Sequence, residues 1–258
     1  MKLTVLTENV ASIGFTAEHG LSYLIEDDIK ILFDFGQSDM FLKNAEKLKI
    51  SLDDINTIVL SHGHFDHGNG LKYLKDKKLI CHPDVFIKRY RKTDNINIGL
   101  SLDEKQISER FHLIKSKTPF MISNNIFFLG EIPRINDFEA KTTSFVKEDN
   151  SEDFITDDSA IAIRSPKGLI IITGCGHAGI CNTIEYAKKI TGLKKINTVM
   201  GGFHLKENDL QTQETIKFFK KQNIQNILPS HCTELPALAE FYNAFKIKSV
   251  KVGMVFHF

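Results

Sequence analysis

The segment SHGHFDHG at 61–68 places four ligand-type side chains directly after the apolar stretch INTIVL. In an extended segment, residues two apart point to the same side, so His62 and His64 can hold one cation. Asp66 and His67, on the turn that follows, can face the opposite side of that cation and hold a second one. Each of these side chains would need a polar partner in a core, which disfavours a purely structural role. The spacing therefore predicts a metal site at the end of a strand, where functional loops lie.

Three later apolar stretches also lead into histidines: LIIITGCG precedes His177, INTVMGGF precedes His204, and NILPS precedes His231. Strands that deliver ligands from their carboxyl ends to one edge have the geometry that a shared metal site needs. His204 could bind metal, transfer a proton to a leaving oxygen or hydrogen-bond a substrate, with a structural role as the alternative. His19, in AEHGLS, is a weaker candidate of the same kind, for substrate binding.

A glycine-rich segment, GCGHAG at 174–179, matches the G-x-G-x-x-G pattern of dinucleotide sites. The next strand, INTVMGG, ends in glycines and has no acidic residue for a ribose, which disfavours a dinucleotide site. The amides after Gly176, at the start of the predicted helix CNTIEYAKKI, instead predict an anion site. Arg134, in the loop FFLGEIPRIN, could bind a phosphate or carboxylate, or form a surface ion pair.

The composition bounds the class of protein. With 258 residues, 42% apolar and 25% charged, the chain is too apolar to be disordered. Its 33 basic and 32 acidic residues give a net charge of +1, which provides no field for long nucleic acid or an anionic membrane. Strand-sized apolar runs and the start MKLTVLTEN predict no membrane span and no secretory signal, hence a cytoplasmic protein. Four cysteines without a CxxC pair indicate neither a disulfide scaffold nor a zinc ribbon.

The elements that must position these residues follow from the pattern. KLTVLTE, LSYLIED and KILFDFG are typical of strands, the last two joined as a hairpin by DDIK, and MFLKNAEKLKI has helical spacing. SAIAIRS and LIIITG predict a second hairpin, followed by two units in which a helix leads to a strand. The looser region of about 85–155 is interpreted as a lid-like insertion in a single domain covering 1–258.

The pattern H-x-H-x-D-H after a strand, preceded by LFDFG with Asp34, resembles the signature of the metallo-β-lactamase superfamily. The resemblance implies an α/β fold, an αββα sandwich of two mixed β-sheets covered by helices on both outer faces. It also implies a site for one or two metal ions, in most members for water-activating hydrolysis. By the same resemblance, Asp34 braces the metal loop and does not bind metal.

Two positions depart from the superfamily pattern. Cys175 stands where the superfamily usually has a bridging aspartate, and Asp157 and Asp158 replace the usual histidine ahead of the hairpin. These departures leave His177 as the substitute ligand. Cys175 is either a thiolate ligand to a soft metal or a buried inert thiol. His231 resembles the final ligand of the superfamily, with a structural surface histidine as its alternative.

Motifs along nearly the whole chain, from about residue 3 to 255, resemble one branch, the dihydropterin ribofuranosyl-aminobenzene phosphate synthases. They are AEHGLS, HGHFDHGNGL, GEIPR, DDSA, TGCGHAGICNTI, GGFHL and PSHCTE. This resemblance implies a small phosphorylated substrate, pterin-like or ribosyl-containing.

We therefore expect a metal-dependent hydrolase that uses a hydroxide held by two divalent cations, zinc first and manganese or iron as alternatives. The first ion would be held by His62, His64 and His177, and the second by Asp66, His67 and His231.

In this hypothesis Asp66 also orients the attacking water, and His204 protonates the departing oxygen. The amides after Gly176, together with Arg134, would hold an anionic tail of the substrate.

The same residues leave three other functions open. A transferase joining a pterin diphosphate to an arylamine ribosyl phosphate would use the region 85–155 as a lid that excludes water. A phosphodiesterase or nuclease of the same fold is a further alternative, although the net charge disfavours long nucleic acid. The third is a diiron redox protein or a metal-holding binding module without chemistry. Redox chemistry is disfavoured because the diiron branch resembles H-x-E-x-D, whereas this chain has histidine at the middle position.

Overall fold

The computed structural model describes all 258 residues. The strands are β1 (Lys2–Thr7), β2 (Ser22–Glu26), β3 (Lys30–Phe33), β4 (Thr57–Val59), β5 (Lys78–Cys81), β6 (Arg89–Arg91), β7 (His112–Lys115), β8 (Phe120–Met121), β9 (Ile126–Phe128), β10 (Phe145–Lys147), β11 (Ala160–Ser165), β12 (Gly168–Thr173), β13 (Ile196–Gly202), β14 (Asn226–Ser230) and β15 (Val255–His257). The α-helices are α1 (Met40–Lys47), α2 (Phe65–Gly68), α3 (Glu104–Ser108), α4 (Ile180–Thr191), α5 (Leu210–Gln222) and α6 (Leu235–Phe245). Two short 3₁₀ helices span Asn69–Tyr73 and Pro83–Phe86. No helix has both the length and the apolar character that a membrane span requires.

The chain comprises two compact units. The first consists of Met1–Lys117, Thr143–Asp153 and Lys251–His257. Its main sheet has the strand order β15-β1-β2-β3-β4-β5-β7. Pairing is antiparallel from β15 to β3 and parallel from β3 to β7, so the sheet is mixed. Strands β6 and β10 form a separate antiparallel pair.

Helix α1 buries the apolar face that its spacing predicts. Phe41 and Ala45 belong to the core of the first unit, and Leu42 and Leu48 pack against that core. The helix is shorter than the predicted segment because it ends at Lys47, and Lys49 then takes a left-handed backbone with φ 59°.

The second unit consists of Thr118–Thr142, Phe154–Val250 and Phe258. Its sheet has the order β14-β13-β12-β11-β9-β8, parallel from β14 to β12 and antiparallel from β12 to β8. Strands β12 and β13 are buried along their whole length, as the continuous apolar runs of central parallel strands require. Helix α4 contacts β11 and β12, and α5 contacts both α4 and α6.

Strand ends position the chemistry in each unit. In the first unit, Phe33 of β3 pairs with Val59 of β4 in a parallel register, so Asp34 and the segment from Ser61 leave the sheet at the same edge. In the second, Thr173 pairs with Gly201, and Gly202 pairs with Ser230. The three histidine-bearing segments of that unit therefore also begin at one edge of their own sheet.

Most predicted elements are present. The hairpins β2–β3 and β11–β12, and the two units in which a helix leads to a strand, are confirmed. The turn predicted for Asp66 and His67 is a short helix, α2, because the amides of His67 and Gly68 both donate to the carbonyl of His64. Residues 85–117 and 143–153 belong to the first unit and 118–142 to the second. A single domain with a lid over 85–155 stays a prediction.

Candidate functional site

The residues predicted to bind metal near the start of the chain, His62, His64, Asp66 and His67, lie after β4 in the first unit and are named the first ligand set. All four side chains are buried, with at most 6% of any residue exposed. His62 and His64 precede α2, and Asp66 and His67 are part of it. The ring centroids of His62 lie 4.6 Å from those of His64 and 4.3 Å from those of His67. The sequence spacing thus brings three imidazoles and one carboxylate together within this unit.

Asp34 is the hydrogen-bonding centre behind this set. It is fully buried, and its carboxylate accepts from the Ser61 amide, the Ser61 hydroxyl and His67 Nδ1, each at 2.7 Å. Because His67 donates through Nδ1, its Nε2 carries the lone pair. Asp34 therefore fixes the tautomer of His67, which agrees with the bracing role that the family resemblance implies.

The same network sets the tautomer of His62. The Ser61 hydroxyl donates to Asp34, so it accepts from His62 Nδ1 at 2.9 Å. His62 Nε2 then carries the lone pair and lies 3.0 Å from His64 Nδ1. Burial, followed by the nearby His67 and His64, holds the pKa of His62 well below its ordinary value. A neutral imidazole with an oriented lone pair is the form that binds a metal ion.

Asp66 connects this set to a more exposed histidine. Its Oδ2 lies 3.2 Å from Nε2 of His19 and 3.7 Å from Nε2 of His67. The His19 side chain is 58% exposed, whereas that of Asp66 is 7% exposed. His19, predicted to bind substrate, therefore touches the carboxylate predicted to act in catalysis.

A second group of side chains that could hold a metal ion lies in the second unit and is named the second ligand set: Cys175, His177, His204, His231 and Cys232. The ligand atoms of Cys175, His177 and His204 are all within 4.8 Å of one another, and so are those of Cys175, His231 and Cys232. The His177 and His204 ring centroids are 4.1 Å apart. Cys175 is common to both groups of three, so its thiol occupies the centre of this set.

Two histidines of the second ligand set, and Asp34 behind the first ligand set, have a left-handed backbone. The φ angles of Asp34, His204 and His231 are 55°, 49° and 51°. This conformation costs a residue with a Cβ atom about 1–2 kcal/mol. Such strain is typical of functional positions, where a side chain must point in one direction.

Cys232 is a member of the second set that the sequence interpretation missed. Its Sγ donates a hydrogen bond to the carbonyl oxygen of Cys175 at 3.2 Å. Burial raises the pKa of the Cys232 thiol, but hydrogen bonding with the side chains of Cys175 and His204 outweighs burial and holds that pKa well below its usual range. The available signal was its place directly after His231 in PSHCTE, since neighbouring residues at a strand end can both reach one site.

The start of α4, where the anion site was predicted, already receives carboxylates of the chain. Glu139 accepts from the amides of Cys181 at 2.8 Å and Asn182 at 2.9 Å, and Asp158 accepts from the amide of Ala178 at 2.9 Å. Burial raises the pKa of Asp158 to about 7 and also raises the pKa of Glu139. Three amides that follow Gly176 are therefore engaged inside the second unit, and binding of substrate at Gly176 stays a prediction.

Arg134 also has partners within its own unit. One of its terminal nitrogens donates to the carbonyls of Phe154, at 2.5 Å, and Ile155, at 3.2 Å. Its Nε is buried and has no hydrogen-bond partner. Part of the guanidinium fork is thus used by the backbone, and its predicted contact with a substrate anion stays a prediction.

Comparisons with known proteins agree with this geometry. The family model of the metallo-β-lactamase superfamily matches residues 15–82. A Methanocaldococcus jannaschii protein, 7,8-dihydropterin-6-methyl-4-(β-D-ribofuranosyl)-aminobenzene-5′-phosphate synthase, is 34% identical, with 95% of this chain and 92% of that protein covered. The chain belongs to the metallo-β-lactamase superfamily. The resemblance to that synthase branch is likewise confirmed.

Two further proteins are similar to this chain over nearly its whole length. An uncharacterized M. jannaschii protein, MJ0448, is 35% identical, with 92% of this chain and 93% of that protein covered. The crystal structure of Tm1679, a metal-dependent hydrolase of the β-lactamase superfamily, has 30% identity and a TM-score of 0.90, covering 100% of this chain and 99% of that one. The predicted α/β fold of this superfamily, with its two mixed sheets, is confirmed. As a metallo-β-lactamase member, the chain belongs to a family of enzymes whose fold implies binding of divalent metal.

Proposed function

We propose that this protein is a metal-dependent hydrolase that acts on a small phosphorylated substrate. The observation that carries the proposal is the hydrogen-bond network of Asp34 and Ser61. This network holds Nδ1 of His62 and Nδ1 of His67, which leaves Nε2 of each ring for a metal ion. Buried imidazoles whose Nδ1 is fixed by a hydrogen bond are suited to a cation at Nε2 and poorly suited to an apolar core. The donor set therefore fits the divalent metal that the family implies.

The ligand assignment is part of the proposal. We assign His62, His64 and His177 to one cation and Asp66, His67 and His231 to a second, with Cys175 as a further ligand. That both ligand sets serve one two-metal centre is implied by the family resemblance. Zinc is the first choice, because imidazole and thiolate ligands suit it. When bound, such a cation lowers the pKa of a coordinated water to about 7 and polarises a substrate oxygen.

The chain's own residues supply the proton handling. Asp66 accepts a hydrogen bond from the attacking water and orients it, while its contact with His19 at 3.2 Å holds the carboxylate in place. His204, fixed by its left-handed backbone next to His177, donates a proton to the departing oxygen. These roles divide base and acid between the first and second ligand sets.

The substrate class is supported by the relatives. The 34% identical synthase is named for a 5′-phosphate product that carries a pterin and a ribose. We propose that a small anionic substrate of this chemistry binds to Arg134, Gly176 and His19.

The same name favours a second candidate function. A transferase would couple a pterin diphosphate to the amine of an arylamine ribosyl phosphate, forming a C–N bond with release of diphosphate and a proton, and it would use the same ligand sets. In that case water must be kept from the diphosphate, and the region 85–155 would act as a lid.

One experiment separates the two functions. Zinc-loaded full-length protein is incubated with a pterin diphosphate, with and without the arylamine, and with a panel of phosphate esters. Cleavage with water alone supports the hydrolase, whereas a coupled product formed only with the amine establishes the transferase.

The variant His64→Ala tests the site itself. We expect loss of bound metal and at least about a 100-fold loss of turnover, because one of the lone-pair donors is removed. His112→Ala, which changes an exposed histidine of β7, is the matched control and should leave both unchanged. Full metal content and full turnover in His64→Ala would refute the proposal.

A further inference from the structure

Two of the four cysteines lie together at the second ligand set. Cys175 and Cys232 are close enough that, with His231, their three ligand atoms are all within 4.8 Å of one another. The other two cysteines, Cys81 and Cys181, are buried and belong to no such group. Two thiols beside an imidazole form a softer donor set than histidines and carboxylates alone.

The spacing of this group fits a tetrahedral ion. Zinc binds sulfur at about 2.3 Å and imidazole nitrogen at about 2.0–2.1 Å, so neighbouring ligand atoms are separated by about 3.3–3.8 Å. Atoms that already lie within 4.8 Å of one another need to approach by no more than about 1.5 Å to reach that spacing. A rotation of the Cys232 side chain, which ends its hydrogen bond to the Cys175 carbonyl, provides such a movement.

The neighbouring strand leaves space for the Cys232 thiol. At Gly202, the last residue of β13, a Cβ atom would lie 2.5 Å from Cys232 Sγ and 2.9 Å from Cys175 Cα. Any larger residue at position 202 would therefore push the two cysteines apart. The glycine is required for the close approach of the two thiol-bearing segments.

We propose that Cys232 is a metal ligand and that, with Cys175 and His231, it forms a two-thiolate site that selects zinc over manganese. The proposal rests on the proposed metal-dependent function and specifies the cation of that site. Cys175 Sγ also lies within 4.8 Å of the ligand nitrogens of His177 and His204. Its thiolate is thus placed to bridge the group that contains Cys232 and the group that contains those two histidines.

X-ray absorption at the zinc edge tests this directly. On full-length zinc-loaded protein we expect a sulfur shell near 2.3 Å in addition to the nitrogen and oxygen shell at about 2.0–2.1 Å. The sulfur contribution should fall in Cys232→Ser and should be unchanged in Cys181→Ser, the matched control with a buried thiol in α4. In competition between zinc and manganese, Cys232→Ser should lose at least about 10-fold of the zinc preference.

The outcomes are distinct. A sulfur shell that weakens only in Cys232→Ser and Cys175→Ser supports the proposal. A nitrogen and oxygen shell alone, or a Cys232→Ser spectrum identical to that of the unchanged protein, overturns it and leaves a metal-dependent hydrolase intact. If Cys232→Ser does not fold, the number of sulfur ligands in the unchanged protein decides, since two sulfurs support the proposal and one or none overturns it. A protein that binds no zinc and turns over fully would overturn both this inference and the proposed function.

Discussion

Replacement of Asp34 by asparagine tests how far the buried carboxylate controls metal binding. Oδ2 of Asp34 accepts from both Ser61 Oγ and His67 Nδ1, and Oδ1 accepts from the Ser61 amide. Asparagine has a single acceptor oxygen, so in either orientation its NH₂ group faces a donor. At least one buried donor loses its acceptor, at a cost of about 1–3 kcal/mol.

The larger effect is expected on the metal. Without the carboxylate, His67 is free to carry its proton on Nε2, the nitrogen that would face a cation. Loss of such an orienting partner typically lowers metal affinity 10–100-fold, or about 1.4–2.7 kcal/mol. We therefore expect Asp34→Asn to unfold at lower urea concentration and to release zinc to a competing chelator at 10–100-fold lower chelator concentration.

The control for this experiment is Asp54→Asn, because Asp54 is exposed and paired with Lys30. It should leave zinc affinity unchanged. If folded Asp34→Asn retains zinc within about twofold of the unchanged protein, Asp34 does not orient the ligands and the reasoning is refuted.

Four further predictions concern stability. Glu139→Ala should lower the free energy of unfolding by about 2–4 kcal/mol in urea titrations, because two buried amides of α4 lose their acceptor. Gly179→Ala should also lower the free energy of unfolding, because its Cβ would lie 2.4 Å from Glu139 Oε2. Strictly additive effects of Gly179→Ala and Glu139→Ala in the double variant would contradict this contact. Arg89→Ala should cost about 3–5 kcal/mol by the same assay, because it leaves the buried Asp153 without its ion pair at 3.4 Å, and a cost below about 1 kcal/mol would refute that role. Removal of metal by a chelator should lower the melting temperature. The stabilisation lost is about 2.7 kcal/mol relative to protein at a free zinc concentration about 100 times the dissociation constant. An unchanged melting temperature would contradict metal binding by the folded state.

Much of the fold was predictable because the hydrophobic pattern was strong. The runs LIIITG and INTVMGG became fully buried parallel strands, and the helix spacing of α1 placed Phe41 and Ala45 in the core. The superfamily motif identified Asp34 and the first ligand set, whose members are close in sequence. Local patterns of this kind determine both the element and the direction of its side chains.

Other features depend on contacts between segments distant in sequence. Nothing near Gly176 indicates that Glu139, about 40 residues away, would accept hydrogen bonds from the amides of α4. The pairing of Cys232 with Cys175 likewise depends on the register of β12, β13 and β14, which the sequence pattern does not specify. Such contacts become visible only when the sheet order is known.

The left-handed backbones of His204 and His231 have a consequence for protein engineering. Glycine would adopt the same conformation without the Cβ penalty of about 1–2 kcal/mol, and would give back about 0.5–1 kcal/mol through the greater freedom of the unfolded chain. A library selected only for heat resistance should therefore enrich glycine at these two positions and discard both imidazoles. Thermostable descendants obtained in this way would be inert, so any stabilisation campaign on this protein needs a metal-retention screen from its first round.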